Sequence, residues 1–299
     1  MHHDVGIHSD GGIVALTGKR PAKLDPTSQS KSEHPDFGHV ASKTLGFRNS
    51  QPPYVTIPRH PYMTRPTYLG LHHQSFVVAD PSSSSYQTPQ LKLAVGRDAK
   101  QLANRRQLLE NLDRLRRDMD SNPQLAGVDQ FRRLAYEMLS SPAAARAFDI
   151  TAEPEDLRKQ YGLNTWGQSC LLARRLAEAG VPVINIYSRG LDRKIMVVVV
   201  GEFGRTPKMR YGPPDNSYGR DHWPQAYTAL VSGGGFRMGQ VIGATNSKGE
   251  YPVERPLTPQ DLLATVYHHL GIDYEATYPD YFGRPVHILP QGKPIHELI

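Results

Sequence analysis

The chain has 299 residues, 38% of them hydrophobic, with 26 glycines and 25 prolines, which is enough for one large globular domain or two small ones with many loops. Its 35 basic and 29 acidic residues leave a net charge of +6, too modest an excess at this length to mark a nucleic-acid binder. Cys170 is the single cysteine, which excludes an intrachain disulfide and a cysteine-built zinc site, and no run approaches the roughly 18 apolar residues of a membrane-spanning helix.

Residues 1–97 are dominated by Gly, Pro, Ser, His and Tyr, with short apolar runs such as 12–16 and 76–79. No helical period is sustained there, so the segment is expected to be ordered loop wrapped over a core. No basic stretch followed by an apolar one opens the chain, so no export signal is expected. Residues 98–180 read as helices. In the first, over 98–120, Leu102, Leu108, Leu109, Leu112, Leu115 and Met119 fall on one face. Arg105, Arg106, Arg114, Arg116 and Arg117 lie largely off it, as a solvated surface rather than a nucleic-acid stripe. Val128, Phe131, Leu134, Ala135, Met138 and Leu139 mark a second helix closed by Pro142. A third covers 168–179 and stops at Gly180 and Pro182, with Cys170 as a buried, inert thiol.

Residues 181–299 read as strands and turns followed by a helix. The runs 181–187 and 195–200 are short, β-branched and apolar, as in a buried parallel sheet. Thr258-Pro259-Gln260-Asp261 opens a helix with a Thr cap, Pro in the first turn and an acid at the third position. Leu262, Leu263, Val266 and Leu270 form its buried face, and Gly271 ends it. The two apolar runs are separated by only seven residues, 188–194. Parallel neighbours need a crossover of about a dozen residues or more. The two strands therefore pair as an antiparallel hairpin or lie in separate places, and a helix is missing between them.

Chemistry-bearing residues gather in three places. Gly201-Glu202-Phe203-Gly204-Arg205-Thr206-Pro207 follows a strand directly, where ligand groups collect in open α/β sheets. Glu202 there suits a metal ligand or general base, and Arg205 an anionic oxygen; the alternative is a Glu–Arg pair that pins the loop. Gly219-Arg220-Asp221-His222-Trp223-Pro224 sets a carboxylate beside an imidazole, a donor pair for zinc, manganese or iron. Met1-His2-His3-Asp4 and Ile7-His8-Ser9-Asp10 crowd three histidines and two aspartates into ten residues, as a metal or phosphate-ester site or else a flexible terminus. Ser232-Gly233-Gly234-Gly235 reads as a tight turn rather than an anion cradle. His34, His39, His60, His72, His73, His287 and His296 have no partner at ligand spacing, and His268 and His269 sit on a helix. No nucleophile elbow, phosphate-binding loop or dinucleotide fingerprint is present.

With these residues in place, the chain resembles the bacterial family called domain of unknown function 1501, of the alkaline phosphatase and sulfatase superfamily. The resemblance covers nearly the whole chain and rests on ARRLAEAGVPVINIY (173–187), RGLDRKIMVVVVGEFGRTPK (189–208), GRDHWP (219–224), SGGGFRMGQVIGAT (232–245), TPQDLLATVYHHLGID (258–273) and FGRPVHIL (282–289). It implies an α/β fold: a single domain over 1–299 with an alkaline phosphatase-like, mostly parallel sheet and helices on both faces, incomplete in this chain. It also implies a divalent metal (zinc, manganese or calcium), an anionic ester substrate and an exported or periplasmic location. Glu202, Asp221 and His222, with His3 and His8, stand where the resemblance places metal ligands, and Arg205 where it places the substrate anion. The opening strand with its Gly-Gly-Pro-Ser-His-type loop, and a Gly-Trp-Asp-Thr-His motif with a long helix at the 188–194 join, are expected but absent. The resulting expectation is a sulfatase- or phosphatase-like scaffold with an impaired site and no assignable nucleophile; the alternative is a non-catalytic binding or structural protein.

Overall fold

The structure is a computed structural model that describes residues 1–47, 49–86, 135–138, 141–186, 196–209 and 219–299. The helix expected over 98–120, its arginines and the join 188–194 lie outside the described residues. Of the second expected helix, residues 135–138 are described, and they are helical.

In chain order the elements that matter are helices α1 (His8–Thr17) and α2 (Phe37–Leu45) and strands β1 (Tyr54–Ile57) and β2 (Phe76–Val77). Then come α3 (Pro142–Phe148), α4 (Glu155–Tyr161), α5 (Thr165–Glu178), β3 (Val183–Ile186) and β4 (Val197–Val200). The remainder are β5 (Gly204–Arg205), β6 (His222–Trp223), β7 (Ala229–Ser232), β8 (Ala244–Thr245), β9 (Pro252–Glu254), α6 (Pro259–His269), β10 (Thr277–Pro279) and β11 (Pro285–His287). They pack as two units, one of Met1–Thr44, His60–Leu69 and Arg189–Ile299, the other of Leu45–Arg59 and Gly70–Ser188.

The second unit is built on a three-stranded parallel sheet in the order β2-β1-β3. Its registers run from Val55 opposite Phe76 and from Tyr54 opposite Val183. All four residues of β1 are buried, as a central strand covered on both faces requires. Val55, Ile57, Phe148, Leu171, Leu172 and Leu176 join one core cluster that spans the sheet, α3 and α5. Asn164 caps α5 by accepting from the backbone N–H groups of Trp166 and Gly167, both at 3.0 Å. At the other end, Val181 N–H returns to Leu176 O at 3.0 Å and Gly180 N–H to Ala177 O at 2.9 Å. That pair of bonds is a Schellman stop, and it places Gly180 at φ 95°, so the sequence reading of this helix end holds.

In the first unit α1 packs on α6. The sheet elements there are two-stranded and antiparallel: β4 with β7, β5 with β6, β8 with β9 and β10 with β11. Two of these pairs are nested. Val197 lies opposite Ser232 and Val200 opposite Ala229, while Gly204 lies opposite Trp223 and Arg205 opposite His222. Residues 197–205 and 222–232 are therefore the two limbs of one ribbon, bent where β4 gives way to β5.

Two expectations change. The run 195–200 was expected in a parallel sheet, but β4 pairs antiparallel with β7, in a different sheet from β3. Seven residues cannot carry a parallel crossover, and the chain takes the second of the two available solutions, strands in separate places. Residues 1–97 are more than loop, since α1, α2, β1 and β2 all lie within them. Helix α1 escapes a periodicity reading because Ser9–Val14 are all buried, so it has no polar face to alternate with an apolar one. The chain is thus mixed α/β, with parallel pairing among the described residues confined to one small sheet.

Candidate functional site

Glu202 sits at the bend of the ribbon, between β4 and β5. Two glycines make the bend and its approach to α1 sterically available. A Cβ on Gly204 would lie 2.2 Å from the Ala226 carbonyl oxygen, and one on Gly11 of α1 would lie 3.3 Å from both Cβ and O of Glu202. Close helix-to-loop approach brings the first residue of α1 to the acid, with His8 Nδ1 2.5 Å from Glu202 Oε1. The second limb of the ribbon supplies His222. Its ring stacks on Phe203 at 4.1 Å between centroids and meets the His8 ring edge-on at 4.5 Å. His222 Nδ1 donates to the Gly6 carbonyl at 2.6 Å.

His3 joins from the other side. Its Nε2 donates to the Glu202 carbonyl and its Nδ1 accepts from Val5 N–H at 3.1 Å, so both ring nitrogens are held by main chain. Burial lowers the pKa of His3, which keeps the ring neutral in those roles. The segment around it is tied down: His2 N–H donates to Leu257 O and His3 N–H to Pro224 O, both at 2.9 Å. It is not a loose terminus. Tyr227 packs edge-on against His3 at 5.4 Å. Burial, with the Glu202 charge adding to it, pushes the Tyr227 phenol up. No spacing rule pointed to Tyr227, which reaches the site through tertiary packing; Phe203 is the chain neighbour of Glu202, and packing adds its stacking on His222.

Among the predicted ligands, His3, His8, Glu202 and His222 are brought together. Asp221 is exposed, and its backbone is fastened to Thr206, with N–H to Thr206 Oγ1 and carbonyl to Thr206 N, both 3.0 Å. Asp221 stands just before β6, and His222 is the first residue of that strand. Arg205 is exposed and spends Nη1 on the Arg220 carbonyl at 3.2 Å.

The donor chemistry around Glu202 fits a borderline divalent ion. A carboxylate oxygen and a carbonyl oxygen accept from Nδ1–H of His8 and His222 respectively, which leaves Nε2 of each ring as the lone-pair donor. Glu202 keeps its second carboxylate oxygen. Three such atoms are nevertheless not gathered at ligand distance. Among the described residues, the group whose ligand atoms all lie within 4.8 Å is Asp36, His39 and His60, which also belong to the first unit. The readable signal for that group was Pro35-Asp36 opening a helix, with His39 three residues on, on the same face.

The chain matches the family described as Protein of unknown function (DUF1501) in two segments, residues 1–194 and 188–299. No curated protein and no solved structure matches it.

Proposed function

Because the chain belongs to the DUF1501 family of proteins of unknown function, we propose that it carries the scaffold of a sulfatase- or phosphatase-like, metal-dependent ester hydrolase whose site is impaired. The observation that carries this reading is the convergence of His8 and His222 on Glu202 at the bend of the β4–β7 ribbon. Two histidines in the tautomer that offers Nε2, beside a carboxylate, make a donor set for zinc or manganese. Calcium, which takes six or more oxygens, suits it poorly. Bound there, such an ion would supply Lewis-acid polarisation of a phosphate- or sulfate-ester oxygen. Glu202 orients His8, the Gly6 carbonyl orients His222, and Phe203 holds the His222 ring flat. The scaffold is an alkaline phosphatase-like one that lacks an internal helix. This is supported by the overlap of the two family segments at 188–194, the same join that is too short for a parallel crossover.

The site is impaired because its polar groups are largely spent on the protein itself. Arg205 holds the Arg220 carbonyl, and both nitrogens of His3 are bonded. Those same bonds favour a second reading, a binding or structural protein derived from the scaffold. The test is metal binding by chelator-stripped protein with zinc and manganese, alongside turnover of aryl phosphate and aryl sulfate. The proposal expects one equivalent of metal to be lost on Glu202→Ala, with turnover absent or trace. Brisk turnover that disappears in Glu202→Ala would show the site intact. Metal uptake indifferent to Glu202→Ala would remove the metal centre and leave the binding reading.

A further inference from the structure

Helix α2 begins at a buried acid. Asp36 accepts the His39 backbone N–H at 3.0 Å, which caps the helix at its third position. The same carboxylate oxygen lies 2.8 Å from His39 Nδ1, and both side chains are fully buried. The segment that follows β1 then delivers His60, whose ring centroid is 5.4 Å from that of His39. A single donor atom from each of the three side chains lies within 4.8 Å of the other two. A carboxylate and two imidazoles, drawn from a helix start and a segment more than twenty residues away, are therefore folded onto one point.

The surroundings of His60 bear on what that point is for. Its Nε2 is 3.0 Å from the Thr64 carbonyl and 3.2 Å from Thr64 Oγ1. A carbonyl only accepts, so the proton of a neutral His60 is on Nε2 and the lone pair is on Nδ1. A backbone carbonyl that fixes the outer nitrogen of a histidine is the usual support behind a metal-binding imidazole.

We infer that Asp36, His39 and His60 form a second divalent-metal site, of zinc type, separate from the one proposed at Glu202. One oxygen and two nitrogens suit zinc or cobalt, and three protein ligands leave one tetrahedral position for water or an anion. Deep burial of two ligands gives the ion a structural task. It fastens the start of α2 to the 60–64 segment within the first unit, so binding energy becomes folding energy.

The experiment uses the full chain carrying Glu202→Ala, which silences the other site, and titrates the chelator-stripped protein with zinc by calorimetry. Cobalt absorption serves as the optical readout of nitrogen coordination. One equivalent of zinc is expected, with a rise in melting temperature on zinc addition. Adding His60→Ala is expected to weaken zinc affinity at least on the order of 10–100-fold. Asp36→Asn, which keeps a cap-competent side chain, is expected to weaken it likewise. No zinc uptake by the Glu202→Ala chain overturns the inference, as does uptake that His60→Ala and Asp36→Asn leave unchanged. Failure of the Glu202 centre has a different signature, because wild type and Glu202→Ala would then bind the same number of ions.

Discussion

Glu202 holds His8 with one carboxylate oxygen and His3 with its carbonyl, so one residue positions two imidazoles of the opening segment. The His8 and Glu202 side chains are 51% and 36% exposed, and pairs this accessible contribute about 0–1 kcal/mol. Their value is therefore in positioning rather than in stability, and Glu202→Ala should change metal uptake far more than melting temperature. Gly204 makes the opposite case. The Ala226 carbonyl stands 2.2 Å from where its Cβ would be, and backbone yields less readily than a flexible side chain. Gly204→Ala is expected to destabilise the protein by about 1–3 kcal/mol through overpacking. It should also displace the bend that carries Glu202. Chemical denaturation would check the first effect and zinc titration the second; a variant with unchanged stability would mean that the ribbon relaxes without cost. His39 and His60 were expected to have no partner at ligand spacing, and the structure brings both to Asp36: the helix start at Pro35-Asp36 was missed within the expected loop, and His60 carries no local signal at all.

At the level of elements, end signals proved the most readable part of the sequence. Thr258 and Asp261 form a reciprocal capping box, with Thr258 N–H to Asp261 Oδ2 at 2.8 Å and Asp261 N–H to Thr258 Oγ1 at 3.3 Å. Gly271 closes α6 with the same Schellman pair that Gly180 gives α5, Ile272 N–H returning to Tyr267 O at 2.9 Å. Such signals are local, made by residues within one turn of each other, and need no knowledge of the fold. Thr258→Ala is expected to cost about 1 kcal/mol, or roughly 2–4 °C in Tm for a unit of this size, with Thr258→Ser restoring most of it. A calorimetric scan in which alanine and serine behave alike would contradict the cap as the source. Helix α1 shows the converse: with Gly11 and Gly12 inside it and burial all round, neither propensity nor periodicity marks it as a helix. Its packing on α6 and against the Glu202 loop supplies what local preference does not.

Across the whole molecule, charge pairing sets the response to acid. Burial alone would raise the Glu153 carboxyl, yet hydrogen bonds from Arg175 and Arg174 hold it below the usual range. These pairs measure 2.5 Å and 2.8 Å, and Glu153 is 11% exposed. Glu297 is held down at about 2, chiefly by its hydrogen bond from Arg255. A carboxyl whose pKa is lower folded than unfolded stabilises fully above its unfolded value of about 4.3. That contribution is lost as pH falls through the folded value. Burial holds His3, His34, His60 and His269 below the usual imidazole range, so the unfolded chain takes up protons first as pH falls through about 6.5. Melting temperature should therefore begin to fall below about pH 6.5 and fall further below about 4.3, and Glu153→Gln should flatten the lower part of that fall. A Glu153→Gln profile that runs parallel to wild type would remove the Glu153 network from this account.

The sequence by itself determined the mixed α/β class, the ends of α5 and α6, the family, and the impossibility of a parallel crossover through 188–194. Each of these follows from interactions within a few residues, from chain length or from motif spacing. Only the tertiary structure decided that 197–205 and 222–232 form one bent antiparallel ribbon, and that His8 and His222 meet at its bend. It alone stacked Phe203 on His222, placed Tyr227 beside His3 and joined His60 to Asp36 and His39. A ligand set drawn from segments tens to hundreds of residues apart leaves no period or spacing to read. Packing of glycine-bearing elements at close range brings such segments together, and it is settled only when the whole chain is folded.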